Sequence, residues 1–339
     1  MKKLILVLGG STFMGKELLQ DISENESYEV HYINRGKNYW NNAVNQIKNV
    51  YYTYGNREDT TDFTTLIRYL SKKLGVGVNG RNWEAVIDFS AFYSNQVKSV
   101  YGALRGLCNL YIFISTDSIY DVCKIRQIPI TEDQDQRKEL SDQEKKRESY
   151  GHNKLKCEEF LQNYVVEGSF RYVILRLPDV IGPFDDSGRF FALVKWLQQN
   201  DKNPIQVDQA VQSEQISLVY STDVVNCIKY FIQNIPQQNQ IYNVCFDETI
   251  SYIELAQVIL DKISKKQQLN IKHVIEASKF YPSVDCGIIS NKKIKELGIQ
   301  LTPLMTALEK TIDFFIKDAP NYEAENKAAL EKLNRKLNA

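Results

Sequence analysis

Short apolar runs alternate with amphipathic stretches through the first half of the chain, and each change of period marks a strand giving way to a helix. The run Leu4 to Leu8 is branched and uncharged, as a central parallel strand must be when helices cover both of its faces. It is followed by Met14, Leu18 and Ile22 at helical spacing. Further strands are predicted over Tyr28 to Asn34, Val50 to Tyr54, Ala85 to Phe89, Leu110 to Ser115 and Tyr172 to Leu177, with helices including Asp62 to Lys73 and Asn95 to Leu107. This order predicts an α/β fold, a Rossmann-type doubly wound parallel sheet whose strand ends share one ligand-binding edge.

Past Pro183 the alternation breaks down, and shorter elements are expected around Pro204, Pro236, Pro282 and Pro303. Residues 1–177 are therefore assigned to a dinucleotide-binding unit. The segment Gln215 to Gln233 reads as a strand and helix that rejoin the sheet, so about 215–245 is added to that unit. Residues 178–214 and 246–319 are assigned to a smaller, interleaved substrate domain, and 320–339 to a helical tail. That tail, with Leu330, Leu333 and Leu337 on one side, reads as a frayed surface helix, with a docked or partner-binding tail as the alternative. Thr131 to Ser149 is dense in charged and amide side chains and reads as a solvated loop or lid, with a disordered surface insertion as its plainest form.

Composition narrows the class. The chain has 339 residues, 43% hydrophobic and 25% charged, as expected of a globular protein large enough for two packed units. Lys+Arg and Asp+Glu number 42 each, which gives no general footprint for nucleic acid. Six cysteines lie scattered without a C-x-x-C pair, so neither a metal site nor a disulfide framework is expected. No run has the length of a membrane span, and Met1-Lys2-Lys3 leads directly into the first strand, so the expected compartment is the cytoplasm.

The chemistry begins at the turn after the first strand. Gly9 permits the tight turn, and Gly15 lets the helix approach its strand. Ser11, Thr12, Phe13 and Met14 lie between them, with Thr12 where the usual pattern has its middle glycine. A pyrophosphate would sit at that helix's positive end. Tyr150 and Lys154 lie one helical turn apart on one side of a predicted helix. Tyr69/Lys73 and Tyr120/Lys124 share the spacing, but only Tyr150 opens the long helix that follows the fifth strand. A nearby ammonium and an oxidised nicotinamide would lower the phenol's pKa, which makes Tyr150 the candidate acid/base. Thr116, at the end of the fifth strand, offers a hydroxyl to a substrate oxygen.

Leu8 to Gly15, Ile114-Ser115-Thr116 with Tyr120, Tyr150 with Lys154, Leu175 to Pro183, Ile241 to Val244, Tyr252 to Ile259 and Ser290 to Gly298 together resemble the extended short-chain dehydrogenase/reductases, the NAD-dependent epimerase/dehydratase family. Gly9 to Gly15 and Asn34-Arg35-Gly36 look most like its atypical branch, which includes the chloroplast stem-loop-binding proteins. The resemblance implies catalytic roles for Thr116, Tyr150 and Lys154, adenine contacts from Asn56 and Arg57, and a cofactor lining that includes Ser90, Ala91 and Leu177. Asn34 stands where an acidic residue would hold the adenosine ribose, and Arg35 follows it. That combination favours NADP over NAD. Two departures bear on substrate. Ile216 replaces the arginine that clamps phosphates in nucleotide-sugar members, with Arg189 as a substitute charge. Asp117-Ser118 replaces the dehydratases' Asp-Glu pair.

The expected function is NAD(P)-dependent oxidation, reduction or epimerisation of a small hydroxyl or carbonyl substrate. The alternative is a non-catalytic cofactor-binding scaffold or RNA-associated protein of the same fold. Family analogy implies a homodimer through the helices beginning near Asn95 and Tyr150.

Overall fold

The computed structural model describes residues 1–36, 40, 44–166, 168–199, 214–263 and 287–337. Pro204, Pro282 and Cys286 lie outside the described residues. The elements run β1 (Lys3–Leu8), α1 (Phe13–Ser23), β2 (Tyr28–Asn34), β3 (Val50–Tyr54), α2 (Thr60–Lys73), β4 (Trp83–Asp88), α3 (Ser94–Leu104), β5 (Cys108–Thr116), α4 (Asp142–Arg147), α5 (Ser149–Tyr164) and β6 (Arg171–Leu177). They continue through β7 (Asp179–Ile181), α6 (Arg189–Gln199), β8 (Gln215–Ile216), β9 (Leu218–Tyr220), α7 (Ser221–Gln233), β10 (Gln240–Asn243), β11 (Ile250–Ser251), α8 (Tyr252–Ile263), α9 (Lys292–Lys295), α10 (Leu304–Asp313) and α11 (Glu323–Leu337).

Seven parallel strands form the central sheet in the order β10-β6-β5-β4-β1-β2-β3. The direction of winding reverses at β1, which opens a crevice between the carboxyl ends of β1 and β4. One face of the sheet packs on Leu18, Leu19 and Ile22 of α1 and on Val224, Ile228 and Phe231 of α7. The other packs on α2, α3 and α5 through Phe63, Ile67, Val100, Leu104 and Leu161. Each such fully buried side chain contributes about 1.5–3 kcal/mol by leaving water. A separate core gathers α6, α8, α10 and α11 around Phe191, Leu255, Leu308 and Phe315.

The structure corrects several expectations outside the first sheet strands. The strand in Gln215 to Gln233 does not join the sheet: β9 pairs with β7 and β8 with β11. Helix α7 covers the sheet, and β10 supplies the added strand beside β6. Residues 131–137 are not a solvated insertion, whereas 141–149 are largely exposed. Gln134 is 1% exposed, Asp135 accepts from Arg176 Nη2 at 2.9 Å, and the Glu132 carbonyl accepts from Arg176 Nη1 at 2.8 Å. The polar run serves a buried guanidinium, which needs acceptors that apolar side chains lack. The tail helix α11 is not frayed either. It docks on α6 with Ala329 and Leu333 buried, and its Glu325 carboxylate accepts the backbone N–H of Trp40.

Trp40 explains part of that docking. It follows β2 yet is 3% exposed, with its ring packed against Phe184, Phe191, Phe314, Phe315 and Tyr322.

Candidate active site

Two adjoining hollows open at the carboxyl edge of the sheet, of about 680 and 580 Å³, sharing Phe13, Met14, Phe89, Ile114 and Asp186 in their walls. Gly9, Ser11, Thr12, Gly15, Asn34, Arg35, Arg57 and Ser90 line the larger one. Thr116, Tyr150, Lys154 and Leu177 line the smaller one. The sequence-predicted site residues therefore converge on one connected crevice, apart from Asn56 and Ala91, which line neither hollow. Asn56 instead holds its own turn, accepting the Glu58 N–H at 3.2 Å.

The glycine turn is built by close approach. Gly9 and Gly10 take φ of 87° and 75°, and a Cβ on Gly15 would lie 2.1 Å from Gly10 Cα, so that position excludes any other residue. Thr12 precedes α1 in an extended conformation and makes no side-chain cap to it. The helix's positive end is thus left for an anion. Asp186 reaches from the loop before α6 to the side of Thr12 in the larger hollow, and burial pushes its carboxyl up.

Arg57 lines the larger hollow and is held there by an acid. Its Nη1 donates to Asp88 Oδ1 and Ser90 Oγ, both at 2.6 Å, and its Nη2 to Asp88 Oδ2 at 3.0 Å. Burial opposes both charges, yet each partner holds the other ionised: Asp88 lies below the usual carboxylate range and Arg57 above its ordinary value. Tyr111 Oη adds a third donor to Asp88 at 2.7 Å. Sequence reasoning missed Asp88, although an acid closing an otherwise apolar strand signals a buried partner.

Tyr150 and Thr116 meet. The Tyr150 hydroxyl lies beside the Thr116 side chain, and Thr116 Oγ1 accepts the Ser118 N–H at 3.1 Å. Helix α5 gets that close because of Gly151, where a Cβ would stand 1.9 Å from the Ser118 carbonyl oxygen. The glycine beside Tyr150 was the available signal. Although Tyr150 is 46% exposed overall, desolvation of its hydroxyl, together with Asp117, raises its pKa. The expected lowering by Lys154 is absent because that ammonium faces elsewhere. Lys154 Nζ donates to the carbonyls of Ile114 at 2.6 Å and Ala91 at 3.0 Å and lies 4.1 Å from the Phe113 ring centroid. Its burial lowers its pKa to about 8.

The foundation under this helix is a second buried ion pair. Arg176 Nη2 and Nε reach Glu158 Oε2 at 2.7 and 3.0 Å, and Ser115 donates to the same carboxylate. That network ties α5 to β5 and β6.

The smaller hollow is acidic. Asp117 is held well above the usual carboxylate range by burial, with Asp179 and Asp121 adding to it, and burial pushes Asp185 up to about 6. Arg189, the candidate substitute for a phosphate clamp, pairs with Asp179 at 2.8 Å. Among the described residues no group of three or more His, Cys, Asp and Glu could hold a metal ion, and no helix is long and apolar enough to cross a membrane.

Sheet order and crevice define a Rossmann-type protein with a glycine turn and a hydroxyl-lined cleft at one sheet edge. Residues 5–245 match the model of the NAD dependent epimerase/dehydratase family, and the chain belongs to that family. Solved structures agree in fold. UDP-glucose 4-epimerase of Thermotoga maritima, with UDP-glucose, aligns at TM-score 0.69 and 18% identity over 93% of this chain and 99% of that one. The dTDP-glucose 4,6-dehydratase of Bacillus anthracis, in complex with NAD, aligns at 0.71 and 15% over 95% and 99%. WbmG of Bordetella bronchiseptica, in complex with NAD and UDP, aligns at 0.67 and 17% over 93% and 94%. Comparison with curated proteins returns no match.

Proposed function

We propose that the chain is an NAD(P)-dependent oxidoreductase or epimerase acting at a hydroxyl or carbonyl of a small, sugar-like substrate. The observation that carries this reading is the meeting of the Thr116 and Tyr150 hydroxyls in a hollow continuous with the glycine turn. NAD in the neighbouring structures supports the cofactor class, and UDP-glucose in one of them supports the substrate class. The glycine turn and the uncapped start of α1 fit the pyrophosphate, and Ser90, Leu177 and Lys154 fit the cofactor's inner half.

When bound, the nicotinamide supplies the hydride acceptor or donor. The chain's own residues handle the proton. In the reducing direction the Tyr150 phenol gives its proton to the carbonyl oxygen and becomes phenolate, and in the oxidising direction that phenolate takes the proton of the substrate hydroxyl. Thr116 orients the substrate oxygen. Lys154 has three donors, of which two are spent on carbonyls, so the third is left for the cofactor's ribose. The acidic lining and the Arg189–Asp179 pair disfavour a phosphate in the smaller hollow and favour an uncharged polyol portion there.

Tyr150→Phe tests the reading. Dinucleotide affinity is expected to stay nearly unchanged while turnover across a panel of free and UDP-linked sugars, followed by nicotinamide absorbance, falls by about 10²–10⁴-fold. Unchanged turnover in that variant removes the assignment.

A further inference from the structure

Asn34 ends β2, where this fold class sets the acid that holds the adenosine ribose. Its side chain is committed and uncharged. Nδ2 donates to Ser11 Oγ, and Oδ1 accepts the Gly36 N–H at 2.9 Å. A carboxylate arrives from the next strand instead. Glu58, just past β3, accepts from Arg35 Nη1 at 2.8 Å, and both side chains line the larger hollow. Resting on the cofactor reading above, we propose that Glu58 sets dinucleotide specificity and selects NAD over NADP.

A guanidinium beside the ribose ordinarily invites a 2′-phosphate. Here Glu58 has already matched its charge. A phosphate entering this corner must displace the carboxylate or lie beside a like charge, whereas a 2′-hydroxyl can donate to it without adding charge. The other charged groups next in sequence are spent elsewhere: Arg57 is bound to Asp88, and Asp59 caps α2 by accepting the N–H groups of Thr61 and Asp62. The Arg35–Glu58 pair is itself 50% and 67% exposed. Such a pair contributes little to folding, so Glu58 can be replaced without loss of the structure.

The test is fluorescence titration of the full chain with NADH and NADPH, in the wild type, Glu58→Gln and the double variant Glu58→Gln/Arg35→Gln. The wild type is expected to hold NADH about tenfold more tightly. Glu58→Gln should move the ratio about tenfold toward NADPH by tightening NADPH, and adding Arg35→Gln should cancel that gain. A wild-type preference for NADPH, or an unmoved ratio in Glu58→Gln, overturns the inference while leaving the cofactor reading standing. A wild-type chain that takes up neither dinucleotide overturns both.

Discussion

Arg57 grips both carboxylate oxygens of Asp88, at 2.6 and 3.0 Å, in the floor of the larger hollow. This buried pair joins the turn after β3 to the end of β4 and through Nη1 fixes Ser90 against the glycine turn. Asp88→Ala leaves the guanidinium buried without its counter-charge, and the expected cost is about 3–5 kcal/mol. Urea unfolding measures it. A loss no greater than that of a surface substitution would show the pair to be dispensable.

Gly151 decides how closely α5 approaches Ser118. In Gly151→Ala the added Cβ meets a backbone carbonyl, which cannot rotate away, so the helix must shift and carry Tyr150 away from Thr116. Destabilisation of about 1–3 kcal/mol is expected together with a drop in kcat/KM larger than that loss of folded protein explains. Wild-type kinetics in a folded Gly151→Ala would detach the helix position from function.

Lys154 titrates in a window set by its burial. Its pKa is about 8 in the folded chain against an ordinary 10.5. Between those values the folded chain has lost a proton that the unfolded chain still binds, so this group's contribution to stability rises as pH rises through the window. Side-chain NMR of ¹³C-labelled lysine should show one resonance titrating near pH 8 that disappears in Lys154→Met. A set of lysines that all titrate near their ordinary value would contradict it.

The strand pattern was legible because parallel strands buried on both faces must be continuous apolar runs. Tyr28–Asn34 falls where the pattern places it, and so does Val50–Tyr54, although that edge strand is largely exposed. Strands β4 and β5 start earlier than the apolar core of each run suggests, since Trp83 and Cys108 pair with one another across the sheet. Glycine spacing likewise made the α1 turn readable. What could not be read were partners brought together only by the finished fold. Arg176 sits in a run that reads simply as a strand, yet it collects Glu158, Asp135 and the Glu132 carbonyl from two other segments. The order of 131–137 follows from that guanidinium and not from its own composition. Arg35 reads as an unpaired cation because Glu58 is distant in sequence and near only in space.

Trp40 is the largest such long-range contact. Its ring packs among aromatic side chains near the other end of the chain. Trp40→Ala is expected to cost about 3–5 kcal/mol in urea unfolding. A loss below about 1 kcal/mol, the range of ordinary surface changes, would mean that the aromatic cluster holds without it.

The glycine turn and the Tyr150 helix border adjoining hollows with shared walls. A crystal structure of the chain with NADH tests that arrangement directly. The pyrophosphate is expected at the start of α1 and the nicotinamide between Lys154 and Tyr150, with the ring facing the Thr116–Tyr150 hydroxyls. A dinucleotide bound elsewhere, or a nicotinamide ring turned away from Tyr150, would contradict it.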